Sequence, residues 1–226
     1  MINHLKLLFI CLFLSNCSFK VATPPTRFIK GDSFDVLEKG ENRFYYESGA
    51  AAVTLGQNLI YLSGLYSHGF DNLKEGSANI SYTHFEGADS INIRPIYFAL
   101  DLNLKKSFEA IKNNVAFNLG GGYAYSNYGH VLSPHLGYVA GLDFKYIKPF
   151  INYSFSLNIP IDARVIEYRD RVKRPTMTFC HDFNLGLKID IKEYFYLSLV
   201  GGWAILFSET DRLRAPSFAL GVGMVR

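Results

Sequence analysis

The feature that most limits what this chain can become is an alternation of side-chain size and polarity with a period of two residues. In residues 115–125, Val115, Phe117, Leu119, Gly121, Tyr123 and Tyr125 fall on one face, while Ala116, Asn118, Gly120, Gly122 and Ala124 fall on the other. Residues 136–146 set Leu136, Tyr138, Ala140, Leu142, Phe144 and Tyr146 against Gly137, Val139, Gly141, Asp143 and Lys145. Residues 151–161 set Ile151, Tyr153, Phe155, Leu157, Ile159 and Ile161 against Asn152, Ser154, Ser156 and Asn158. The runs around Ile96–Leu104, Met177–Ile191, Phe195–Phe207 and Ser217–Met224 follow the same rule, and a more polar one spans Ala78–Phe85. Period two is the signature of a strand that shows its two faces to different surroundings, and runs of this length suit tilted strands crossing a bilayer. Residues 78–225 supply eight such strands. Residues 44–67, around Gly56-Gln57-Asn58, can add a hairpin, so the expected count is eight to ten.

The composition of the two faces decides the solvent. A soluble barrel needs charged and hydroxyl side chains on its outside; here the less hydrophobic face is mostly Gly, Ala, Ser and Asn. Such a face suits the lining of a narrow barrel, and the bulky face suits lipid, where an open sheet edge has no hydrogen-bonding partner. Connections alternate in length. Residues 146–149 and 191–194 read as tight turns, whereas 126–134, 162–175 and 208–215 read as longer polar loops; 105–114 is an exception. Phe144, Tyr146 and Phe195 fall near the tight turns, and Tyr123, Tyr125, Tyr138, Trp203 and Phe207 near the long loops, as two interfacial girdles would. The expected fold is an all-β, antiparallel, up-and-down transmembrane β-barrel of eight to ten strands.

The first residues look like a targeting segment. Lys6 precedes the apolar stretch Leu7 to Leu14, which is too short to span a membrane as a helix. Leu14-Ser15-Asn16-Cys17 resembles the lipobox of bacterial lipoproteins, with Asn16 where Gly or Ala is usual. The resemblance implies a signal peptide over 1–16 and an acylated Cys17. Residues 17–43, with Thr23-Pro24-Pro25-Thr26, are expected as a periplasmic tether, and 44–226 as the barrel domain. Cys11 would leave with the signal, so only Cys180 remains and no intrachain disulfide is expected.

Over roughly 44–226 the pattern resembles bacterial outer-membrane β-barrel proteins. The last strand is similar to their C-terminal assembly signal through Met224 but ends Val225-Arg226 rather than on an aromatic. The resemblance implies residence in the outer membrane with the N-terminus lipid-anchored on the periplasmic side. The partners it implies are outer-membrane lipid, including lipopolysaccharide, and the barrel-assembly and lipoprotein-sorting machineries. Without residues 1–16 the chain has 22 basic against 20 acidic residues, a balance that argues against nucleic acid as a partner.

Strand parity points Asp101, Asp143, Lys145, Lys188 and Asp190 inward near the short turns, as a charged ring or as solvated mouth residues; Asp182 lies deeper and needs a partner. The stretch 162–175 carries Arg164, Arg169, Arg171, Lys173 and Arg174, either a phosphate-binding surface or a soluble external loop. His130 and His135, with Ser126 and Ser133, flank an expected external loop, but no third catalytic member is evident and no catalytic residue is assigned. Gly120-Gly121-Gly122 lies within a strand and lacks the Lys-Ser/Thr of a phosphate loop, so its expected role is steric. No cofactor or metal motif is present. The favoured function is a structural or surface-interaction role through the external loops. The alternatives are a narrow channel or lipid-handling barrel, a membrane-embedded lipid hydrolase, and a lipocalin-like periplasmic carrier that would require the two faces to be reversed.

Overall fold

The computed structural model describes residues 30–31, 34–54, 57–87, 96–108, 114–126, 129–162, 166–168, 171–173, 176–208 and 212–226. Ten strands form a closed antiparallel barrel: β1 (Asn42–Thr54), β2 (Gln57–Asp71), β3 (Lys74–Gly87), β4 (Ile96–Ser107), β5 (Val115–Ser126), β6 (Gly129–Gly141), β7 (Ile147–Ile161), β10 (Thr178–Lys192), β11 (Phe195–Phe207) and β12 (Arg212–Val225). A small hairpin, β8 (Ile166–Tyr168) and β9 (Arg171–Lys173), sits in the connection between β7 and β10. Each barrel strand pairs with its neighbours in sequence order, β7 with β10 across the hairpin, and β1 closes the ring on β12 from Arg43↔Val225 to Ala51↔Ser217. The early hairpin in residues 44–67 therefore exists, and the strand count is ten.

Both ends of the barrel domain meet at one mouth, where Asn42 and Arg226 exchange backbone hydrogen bonds of 2.7 and 2.8 Å. We call this the near mouth. β2 leads to β3, β4 to β5, β6 to β7 and β10 to β11 at this mouth; β1 leads to β2, β3 to β4, β5 to β6, β7 to β10 and β11 to β12 at the far one.

The pleat separates two environments. On β4, Tyr97, Ala99, Asp101, Asn103 and Lys105 are buried inside, while Phe98, Leu100, Leu102 and Leu104 are exposed outside. The same holds for Leu119, Leu136, Leu185 and Leu220 on their strands. A band of large apolar side chains facing outward over the whole ring is what lipid stabilises and water penalises. The lipocalin-like carrier would need the reverse arrangement and does not fit.

Two segments differ from the sequence reading. The stretch 126–134 is not a long loop: β5 and β6 are joined by 127–128 alone, and β6 begins at Gly129. Ser133, Pro134 and His135 read as loop residues, yet Ser133 and His135 face a lumen that accepts polar groups, and Pro134 pairs opposite Gly121 while making no bridge to β7. This shift ends β6 at Gly141, which puts Asp143, Lys145, Phe144 and Tyr146 in the exposed near-mouth turn and Tyr138 in the near half of the barrel. Similarly, β12 starts at Arg212 rather than near Ser217.

The outward face makes a depth-dependent prediction. Leu102→Arg, at mid-strand, should destabilise the barrel in phospholipid vesicles by about 2–4 kcal/mol, whereas Leu142→Arg, in the near-mouth turn, should cost about 1 kcal/mol or less. Urea unfolding in the bilayer measures both, and equal costs would contradict a lipid-facing band.

Candidate functional site

The lumen is occupied by the chain's own N-terminal segment. Residues 34–41 lead into β1 from inside the near mouth, and Lys30 and Gly31 lie further in, so the described part of the stretch expected as a periplasmic tether lies within the barrel instead. The chain turns from this segment into β1 at Gly40, whose φ of +88° favours glycine. Gly40 N–H donates to the Gly69 carbonyl, fixing the turn to β2.

At mid-height the segment is held by Glu47. This carboxylate, fully buried on β1, accepts the backbone N–H of Lys30 at 2.9 Å and of Gly31 at 2.7 Å, and the hydroxyls of Tyr45 and Tyr61 at 2.7 and 2.8 Å. Four donors offset the desolvation of one charge. The Lys30 ammonium reaches across the barrel to β10, where it meets both Asp182 oxygens at 2.8 and 2.9 Å and the Asn184 side-chain oxygen at 3.4 Å. Asn152 of β7 donates to the Lys30 carbonyl at 3.5 Å.

Below this, Phe34 fills the space between walls, packed with Leu59, Tyr61, Ala116, Val139, Phe150, Val200 and Ala219. A Cβ at Gly141 would overlap the Phe34 ring, so the wall is bare where the segment needs room. Nearer the mouth, the Leu37 N–H donates to Glu75 at 3.0 Å, and Arg43 donates to the Asp35 carbonyl at 3.0 Å. Glu75 also bridges Lys105 at 3.1 Å and Arg43 at 3.5 Å, all three side chains being almost fully buried. Lys188 pairs with the Asp35 carboxylate and lies 4.4 Å from the Tyr196 ring centroid.

Of the charges assigned by parity, Asp182 meets Lys30 and Lys188 meets Asp35. Asp190 sits at the near mouth, bridging Lys148 at 3.2 Å and Lys188 at 3.8 Å. Asp101 is buried beside His135, whose Nδ1 lies 3.3 Å away, and His135 Nε2 is 3.3 Å from Asn103. A Cβ at Gly120 would strike the His135 imidazole, which gives the glycine run a steric role at that position. Asp143 and Lys145 do not join the interior; Asp143 pairs with Lys148 at 3.4 Å from the exposed turn. The sequence reading missed Lys30, Asp35, Glu47, Glu75 and Lys105. Glu47, Glu75 and Lys105 occupy inward parity positions, but Lys30 and Asp35 belong to no alternating run.

The Ser/His arrangement does not assemble. His130 and His135 are an odd number of residues apart on β6 and so lie on opposite faces: His130 contacts Tyr123 and Tyr125 outside, and His135 is in the lumen. Ser126 donates to the Gly129 carbonyl and Ser133 to Asn158. Cys17, Arg164, Arg169 and Arg174 lie outside the described residues. Arg171 and Lys173 fall in β9, of which the backbone alone is described.

The Glu75 cluster predicts a large stability effect. Glu75→Ala leaves Arg43 and Lys105 buried without their shared carboxylate and should destabilise the folded protein by about 3–5 kcal/mol. Denaturant midpoints in detergent micelles report it; a change under 1 kcal/mol would show that the cluster is solvated in the working protein.

No protein-family model matches the chain, and no curated protein matches it. Among solved structures it is similar to a de novo designed transmembrane β-barrel, with 10% sequence identity and a TM-score of 0.36 over 84% of this chain and 98% of that one. It is similar to the N-terminal β-barrel domain of Pseudomonas aeruginosa OprF, with 11% identity and a TM-score of 0.40 over 83% of this chain and 100% of that one. It is also similar to an outer membrane channel from Pseudomonas putida F1, with 9% identity and a TM-score of 0.49 over 88% of this chain and 99% of that one.

Proposed function

We propose that this chain is a bacterial outer-membrane barrel, closed at rest by its own N-terminal segment, that acts as a structural or surface-interaction protein through its far-end loops. The observation that carries this reading is the occupied lumen: Lys30, Phe34 and Leu37 are no more than 5% exposed within a ring whose outside is apolar. Described residues that fill the lumen in this way narrow it, which favours the loops as the accessible chemistry. In this reading the far mouth is external, because the termini and the shorter turns characterise the periplasmic side of such barrels. Acylation of Cys17 is part of the proposal. Lys30 lies thirteen positions after it, an extended reach of about 45 Å, enough for a lipid anchor to reach the near-side leaflet from mid-lumen.

A second reading, a gated narrow channel, is favoured by the way the segment is held. Its described residues join no strand ladder; besides the apolar packing of Phe34, they are held by ion pairs and hydrogen bonds to side chains, which can exchange for water. Its two mid-height anchors on the wall, Glu47 and Asp182, are both acidic. Vacated, they would favour cations.

Planar-bilayer recording distinguishes the two. The full chain, its folding checked by a mobility shift on boiling, should show no steady conductance. Replacing residues 30–37 by Gly and Ser at equal length should produce cation-selective openings if the segment is a gate. Steady conductance of the wild type would refute closure at rest. A folded but silent replacement variant would eliminate the channel reading.

A further inference from the structure

The outer face of β7, β10, β11 and β12 carries a vertical order of chemistry from the far mouth downward. Across β11 and β12, Phe207 pairs with Arg212 and Ile205 with Arg214. Both arginines are exposed on the outside, because Ala215 and Ala219, of the opposite parity, are buried in the lumen. The Arg212 guanidinium lies 5.0 Å from the centroid of the Phe207 ring, leaning toward β11. One step lower, Ile205 stands beside His181 and Phe155, and below these come Trp203, Phe183 and Tyr153. Within this lipid-facing patch His181 Nδ1 and the Tyr153 hydroxyl pair with each other at 2.9 Å.

Lower down, on the β10 side of β11, the surface opens. Gly201 gives the outer face no side chain, and Tyr138, Ile151, Tyr153, Phe183, Leu185 and Trp203 surround a groove of about 270 Å³. Packing does not require a glycine there. A Cβ at Gly201 would meet only the Ser217 carbonyl oxygen, at 4.0 Å, and its φ lies outside the left-handed region. Gly201 differs in this from Gly141 and Gly120, where a neighbour fills the space.

Two cationic side chains at the interfacial end of a strand, over an apolar groove at hydrocarbon depth, are complementary to an amphiphile with an anionic head and an acyl chain. Arginine binds phosphate through paired N–H donors, and a rise of about 7 Å per two strand residues places Arg214 a short step above Trp203. We propose that Arg212 and Arg214 bind a phosphate of lipid A, the phosphorylated acyl-glucosamine lipid of the external leaflet, with one of its acyl chains lying in the groove over Gly201. The proposal rests on the outer-membrane reading, in which the far mouth is external.

Trp203 lines this groove and is the single tryptophan of the chain, so its fluorescence reports the site. The full-length protein is reconstituted in phosphatidylcholine vesicles with brominated acyl chains, which quench Trp203. Unbrominated lipid A or unbrominated phosphatidylcholine is then added as competitor. Lipid A should relieve quenching about tenfold more effectively than phosphatidylcholine, the return from two charge-assisted contacts. The preference should vanish for dephosphorylated lipid A and in the Arg212→Ala/Arg214→Ala variant. It should weaken in Gly201→Leu, which fills the groove with its Cβ no closer than 4.0 Å to the Ser217 carbonyl oxygen, an ordinary van der Waals contact. A mobility shift on boiling confirms that each variant is folded. Equal competition by lipid A and phosphatidylcholine, or a preference unchanged in the arginine variant, would overturn the site. Phosphatidylglycerol competing as well as lipid A would overturn the assignment to lipid A. No quenching by brominated lipid would instead overturn the membrane reading on which the site depends.

Discussion

Backbone hydrogen bonding governs this molecule. Every N–H and C=O that faces hydrocarbon needs a partner within the protein, and a sheet meets that demand only by closing on itself. Here closure is made by the pairing of β1 with β12, from Arg43↔Val225 to Ala51↔Ser217. With the ring closed, each strand has one face for lipid and one for the lumen. The period-two pattern and the meeting of Asn42 with Arg226 follow from the same requirement. The outward leucines and phenylalanines, which would be a liability on a soluble protein, become the surface that holds the barrel in place.

Closure with ten strands creates an interior that small side chains cannot fill. The wall is lined at many points by Gly, Ala, Ser and Asn, and Tyr45, Tyr61, Phe150 and Tyr196 together with Lys30, Phe34 and Leu37 occupy the space between. The charges that enter this space come with partners: Lys30 with Asp182, Glu75 with Arg43 and Lys105, Lys188 with Asp35, and Asp101 with His135. That arrangement reflects the cost of desolvating an isolated ion. It also explains why the inner face tolerates Glu75 and Lys105 near the strand ends at the near mouth.

The fold was legible because its signal is repeated: Leu100, Leu102 and Leu104 on β4 say the same as Leu185, Leu187 and Ile189 on β10. Parity also placed Asp182 and Lys188 correctly relative to the wall, since it depends on the local strand alone. It failed at Asp143 and Lys145, where the strand had already ended; period two carries no mark of where pairing stops. It failed again at Ser133-Pro134-His135, where proline and polar side chains imitate a loop although β6 runs through them. The N-terminal segment was illegible for a different reason. Its anchors are side chains of β1, β3 and β10, distant in sequence, and nothing local to Lys30 or Asp35 signals that the chain turns inward. The outer groove likewise appears only when Gly201 is placed among strands β6, β7 and β10.

A closed sheet without cross-wall contacts is a thin tube, stiff along its hydrogen bonds and soft across its diameter. The segment in the lumen touches β1 through Glu47, β3 through Glu75, β6 and β7 through Phe34, and β10 through Asp182 and Lys188. It thereby acts as a set of spokes that keeps the ring from flattening under lateral pressure from the bilayer. The resistance of this ring to deformation is thus a property of its contents as much as of its wall.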